Sequence, residues 1–176
     1  MLRSVCLFYP VLVSLLAVIS ASLPWGAPVS VSLALPLIAL GVIFFWSIHR
    51  PGQLPSPLVF LFGLLTDLAT DGPLGFWALN FLVGYAIAVY GPVWNGGRRE
   101  GVAELLLYAT AVLAVSGLNW TLTSLFFLKT MPIRPLMIGG VVAFAAYPAI
   151  SFVLTPLDRV VGQVLERISN PQDDWL

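Results

Sequence analysis

The chain has 176 residues, 59% hydrophobic and 9% charged, with a mean hydropathy of +0.96. A soluble domain carries about 25% charged residues, so this composition belongs to the membrane class. Eight basic and eight acidic residues leave no net charge and no basic patch, which argues against a nucleic-acid partner. The single Cys and single His allow neither an internal disulfide nor a zinc or haem ligand set.

Residues 1–23 combine a basic start at Arg3, an apolar run and small residues near Ala21. That pattern also describes a cleavable signal peptide; with several spans following, a retained first helix is expected. Ala17 and Ala21 form a small-xxx-small pair, either an invitation to close helix approach or chance in an Ala-rich run. After Pro24-Trp25-Gly26 a second span is expected from Val29 to His49, long enough to cross at about 20 residues. Trp46, His49 and Arg50 read as an interfacial anchor at its end, with His49 a headgroup-level residue rather than a ligand.

Arg50 to Pro55 is a turn. The third span, about 56–70, is short for a bilayer core of about 30 Å and carries a carboxylate, Asp67, in an otherwise lipid-like run. An acid at the bilayer centre costs about 2.5 to 3.5 kcal/mol on insertion scales, so it needs a partner. Only Asp71-Gly72-Pro73-Leu74 separates this span from the next, which forces an antiparallel reversal. Asn80 lies about as far after the turn as Asp67 lies before it, and an Asp67–Asn80 contact across the hairpin is expected. The fourth span is expected from Pro73, with Asp71 at its positive end, to Tyr90, where Gly91-Pro92 stops it. Residues 95–100 form the most polar internal loop.

The fifth span falls within 102–128, and its second half carries Ser116, Asn119, Thr121, Thr123 and Ser124. Such groups bond neighbouring helices or line a polar cavity, the first being the stronger expectation. The sixth span is expected over about 136–157. Beyond Pro156, Leu157, Val160, Val161, Val164, Leu165 and Ile168 recur at helical spacing and form one apolar face. Residues 158–176 are therefore set apart as a cytoplasmic amphipathic tail, lying on the membrane or on a partner, with Val161, Val164, Leu165 and Ile168 as its contact face.

The fold class expected is an all-α integral membrane protein with six transmembrane helices in residues 1–157. With the N-terminus inside, one side holds Arg3, Arg50, Arg98, Arg99, Arg159 and Arg167, and the other only Lys129 and Arg134. That asymmetry places both termini in the cytoplasm. The intramembrane polar residues assemble no Ser–His pair, no paired acids and no metal cluster, so an enzyme, a metal and a cofactor are not expected.

The segment FFWSIHRPGQLPSPLVFLFGLLTDLATDGPLGFWALNFLVGY resembles the signature of the rod-shape-determining MreD family. The resemblance rests on Trp46, Pro51, Gly63-Leu64-Leu65 with Asp67, and Pro73-Leu74-Gly75, and covers about residues 43–90; elsewhere the match is hydropathic. It implies a non-enzymatic scaffold subunit of the bacterial cell-elongation machinery in the inner membrane. The partners implied are MreC directly, with MreB, the RodA glycosyltransferase and the elongation transpeptidase reached through it. It also implies a fold similar to the substrate-binding subunits of energy-coupling-factor transporters. Those subunits dock their partner through an alanine pair in the first helix. Their likeness makes a small-molecule-binding transport subunit the second reading. The residues expected to carry structure and interaction are Gly63, Asp67, Asp71, Gly72, Pro73, Gly75 and Asn80.

Overall fold

A helix that is apolar all round has to be enclosed by others, and residues 29–49 meet that condition. The computed structural model describes residues 2–23, 26, 29–94, 101–128 and 132–169. Those residues form six helices and no strand: α1 (Leu2–Ser22), α2 (Val29–His49), α3 (Ser56–Ala69), α4 (Phe76–Trp94), α5 (Val102–Phe127) and α6 (Ile133–Ser169). The central helix is α2, which packs against α1, α4, α5 and α6. Every residue from 39 to 48 on it is buried. One apolar cluster joins Leu40 and Ile43 of α2 to Phe62 of α3 and to Trp77 and Phe81 of α4. A second joins Phe44 and Ile48 to Tyr108 of α5 and Tyr147 and Leu154 of α6.

Two helices, α5 and α6, are long and apolar enough to cross a membrane; the apolar parts of the other four are shorter. The outer faces are apolar too, with Leu61, Leu68, Leu113, Phe152 and others exposed. Ala17 and Ala21 of α1 pack against the first cluster, so the small pair serves a contact within the chain.

Three expected boundaries move. The fourth helix starts at Phe76 rather than Pro73, because Gly75 holds φ +93° and the turn has to finish first. It then runs through Gly91-Pro92 to Trp94. No break separates the sixth span from the tail either, since α6 is one helix of 37 residues through Pro148 and Pro156. A proline removes one backbone donor and strains one turn, and an apolar helix with packed neighbours absorbs that. At about 1.5 Å per residue α6 is about 55 Å long, well beyond the bilayer core of about 30 Å.

The expected anchor at the end of α2 is also different. Trp46 is 1% exposed and meets the rings of Tyr9 and Phe45 edge-on, so it belongs to the core and not to a headgroup layer. Arg50 reaches across to α6, where its Nε donates to Asp158 Oδ1 at 2.6 Å and its Nη2 to the Asp158 carbonyl at 3.2 Å. That pair ties the extension of α6 to the end of α2.

Candidate functional site

The hairpin of α3 and α4 is set by one glycine and one acid. Gly63 lies against the backbone of Ala78, and a Cβ there would be 2.2 Å from Ala78 Cα and 2.5 Å from its nitrogen. The two helices thus cross with no side chain between them. One turn further on, Asp67 is fully buried. Its Oδ2 accepts the Gly75 N–H at 2.8 Å and its Oδ1 accepts the Trp77 N–H at 2.7 Å. Gly75 is the cap residue of α4, since its carbonyl accepts from Leu79 N at 2.9 Å. An acid inside one helix therefore caps the next, filling two donors that the first turn of α4 leaves open and facing the positive end of its dipole.

This replaces the expected Asp67–Asn80 pair. Asn80 is buried, but its Nδ2 donates to the Phe76 carbonyl at 2.9 Å on its own helix, and its Oδ1 has no hydrogen-bond partner. Backbone donors at a helix terminus outcompete a side-chain amide here because they converge on both carboxylate oxygens at once. Asp71 likewise does not serve α4. It is exposed, with φ +50°, in the left-handed position that follows α3. The Gly72 N–H donates back to the Asp67 carbonyl at 3.1 Å, closing a Schellman-type stop to α3. Pro73, Leu74 and Gly75 then complete the reversal, with the Phe76 N–H donating to the Pro73 carbonyl at 3.1 Å. Gly63, Asp67, Asp71, Gly72, Pro73 and Gly75 are thus one hairpin, with Asn80 inside it but not in the cap.

Of the expected tail face, Val161 is half-buried, while the side chains of Val164, Leu165 and Ile168 lie outside the described residues, as does the 95–100 loop. In α5, Thr121 Oγ1 donates to the Gly117 carbonyl and Thr123 Oγ1 to Asn119 Oδ1. Both bonds stay within the helix, so these hydroxyls do not tie α5 to a neighbour.

A second polar group sits at the opposite end of α3, where α2 ends and α5 begins. Its centre is Glu104, 6% exposed in the first turn of α5. The Tyr147 hydroxyl of α6 donates to Glu104 Oε1. The Tyr147 ring stacks on Tyr108 at 4.0 Å between centroids, and the Tyr108 hydroxyl donates to the Leu37 carbonyl at 3.1 Å. His49 Nε2 lies 4.0 Å from Glu104 Oε2, while His49 Nδ1 is 3.0 Å from the Phe45 carbonyl, to which it donates. The group borders a cavity of about 610 Å³ between α5 and α6, whose walls include Glu104, Tyr147, Ser151, Phe152, Thr155 and Arg159.

Glu104 lies at a span end close to the polar 95–100 stretch, so its position in the sequence alone does not mark it as a buried acid. The available signal was its company on α6, where Tyr147, Ser151, Thr155 and Arg159 recur every four residues and so share one face. A second cavity, about 470 Å³ and apolar, follows α5 and α6 toward their other ends past Ser116, Gly117 and Gly140. Among the described residues no three His, Cys, Asp or Glu side chains gather as a metal site. Comparison with protein-family models, with curated proteins and with solved structures finds no match.

Proposed function

We propose that the chain is a non-enzymatic, multi-pass scaffold of the bacterial inner membrane that binds MreC and so supports lateral wall synthesis in the cell-elongation complex. In this reading all six helices are membrane spans, both termini are cytoplasmic, and MreB, RodA and the transpeptidase are reached through MreC. The observation that carries the reading is the use made of Asp67. The acid on which the resemblance rests spends both oxygens on the first turn of α4, so it shapes a surface and is not free to bind a ligand or move a proton. Gly63 and Asp67 together fix how α3 and α4 cross. The apolar outer face of α3 at Leu61, Leu65 and Leu68 is then presented at one angle to a helix in the lipid.

The test is affinity purification of the tagged chain from its native membrane in a mild detergent. MreC should be recovered with it in stoichiometric amount. Recovery of a tightly held soluble small molecule, with no MreC, would instead favour the transport-subunit reading. Orientation is tested separately. Six basic residues against two place residue 95 inside, so Asn95→Cys should resist a membrane-impermeant thiol reagent in intact cells and react after permeabilisation. Ready labelling of intact cells would reverse the topology.

A further inference from the structure

We infer that the apolar groove between α5 and α6 seats one acyl chain of a membrane phospholipid, whose phosphate meets Arg134 at the start of α6. The inference needs the protein to lie in a membrane but does not depend on its binding MreC.

Helical spacing makes the groove. Ile133, Met137, Gly140 and Phe144 recur on one face of α6, and Ala109, Gly117 and Trp120 of α5 line the opposite wall. At Gly140 the two helices touch, since a Cβ there would stand 3.3 Å from Ser116 Oγ and 3.5 Å from Val112 Cγ1. Gly117 differs: an added Cβ would meet nothing within 4 Å, so space stays open beside it. Leu113, Met137 and Val141 on the rims are largely exposed, and the groove opens sideways from the bundle. Ser116 and Trp120 carry its only polar side-chain atoms. It therefore holds no charge with which to fix a soluble polar ligand.

Its dimensions select the occupant. From Ala109 to Trp120, and again from Ile133 to Phe144, the helix advances about 16 Å at about 1.5 Å per residue. That is about half of a bilayer core of about 30 Å, the depth of one leaflet. A volume of about 470 Å³ over that length averages about 30 Å² in section, a channel about 5 to 6 Å wide. A helix, about 10 to 12 Å across, cannot sink into it and would have to cross both leaflets. A hydrocarbon chain is about 4 Å across at carbon contact distance and stays within one leaflet. Charge stands at one end only. The contact of Gly140 with Ser116 and Val112 sets an antiparallel register that brings Trp120 beside the start of α6. In that first turn Arg134 is exposed, next to Ile133 of the groove wall, and among the described residues it has no ion-pair partner. A guanidinium there complements a lipid phosphate, and an indole suits the same headgroup level.

The full protein is purified from its membrane in a maltoside detergent, and retained phospholipid is counted by native mass spectrometry. One phospholipid should stay with each protein chain. Gly117→Phe fills the open space, where its Cβ meets no neighbour. That variant should keep the thermal midpoint of the lipid-free protein and lose the retained lipid. Added phospholipid should then raise the midpoint of the wild type and not that of Gly117→Phe. Arg134→Gln, at an exposed position, should weaken retention on the order of tenfold, as expected for losing one charge-assisted phosphate contact. Location is read with a phospholipid brominated along its acyl chain, which should quench the part of the tryptophan emission that Trp120→Phe removes. Retention that either Gly117→Phe or Arg134→Gln leaves unchanged overturns the proposal. So does quenching that survives Trp120→Phe in full, or release of a protein subunit by Gly117→Phe while the lipid stays.

Discussion

Asp67→Leu should be the most damaging single substitution in the chain. It strips the acceptors from the Gly75 and Trp77 N–H groups and leaves two backbone donors without partners in an apolar setting. Each such donor costs about 1 to 3 kcal/mol. A neutral side chain inserts into lipid more easily than an acid, which offsets part of that. The expected net loss is about 2 to 4 kcal/mol of stability, within the range of a buried hydrogen-bond network. It should appear as a lower thermal midpoint in detergent and, on the proposed function, as loss of MreC from the purified material, with insertion unchanged. Asp67→Asn is the informative companion. An amide keeps one accepting oxygen but turns an N–H group toward the second backbone donor, so the two donors oppose each other. The asparagine variant should therefore fall between wild type and leucine instead of matching wild type. Full stability in the leucine variant would remove Asp67 from the architecture.

Gly63→Ala should come second. The added Cβ would stand 2.2 Å from Ala78 Cα and 2.8 Å from the Trp77 carbonyl carbon, which are backbone atoms of α4 and cannot rotate away. The helices must separate, at a cost typical of overpacking, about 1 to 3 kcal/mol. Separation also draws the start of α4 away from Asp67, so the two effects are coupled. In a double-mutant cycle Gly63→Ala with Asp67→Asn should lose less than the sum of the single losses, because the first change already weakens what the second removes. Gly117→Ala supplies the control: it is exposed on α5, with nothing within 4 Å of its added Cβ. It should stay within about 0.5 kcal/mol of wild type. A loss at Gly117 as large as that at Gly63 would mean that helix glycines matter here for something other than close crossing.

Both predictions turn on a division between what is local and what is not. Helix content, and the presence of helices long and apolar enough to cross a membrane, were legible from the sequence, because apolar runs bounded by Pro, Gly and polar clusters are local properties. The ranges of α1, α2 and α5 follow those runs closely. The α3–α4 reversal was legible for the same reason, since four residues between two apolar stretches permit nothing else. That Asp67 needed a partner was also legible, from the cost of an acid in lipid.

Which partner it takes was decided only by the tertiary structure. Equal distance from the turn pointed to Asn80. The crossing at Gly63 instead brings Asp67 alongside the first turn of α4, where two N–H groups already lack acceptors, and a charged acceptor meets a helix terminus more favourably than one amide. Trp46 shows the same limit. Its place at a span end suggests an interface, yet neighbours from α1 close over it. The prolines of α4 and α6 show it again, since Pro92 and Pro156 look like stops while the packed helices run on. Glu104 depends on it most. Nothing adjacent in the chain marks that acid, and its setting is made by Tyr147, 43 residues later, and by His49, from helices that only the fold brings to it. Sequence determines where an apolar helix forms and which of its polar groups will be costly; packing determines which groups from distant helices arrive to meet them.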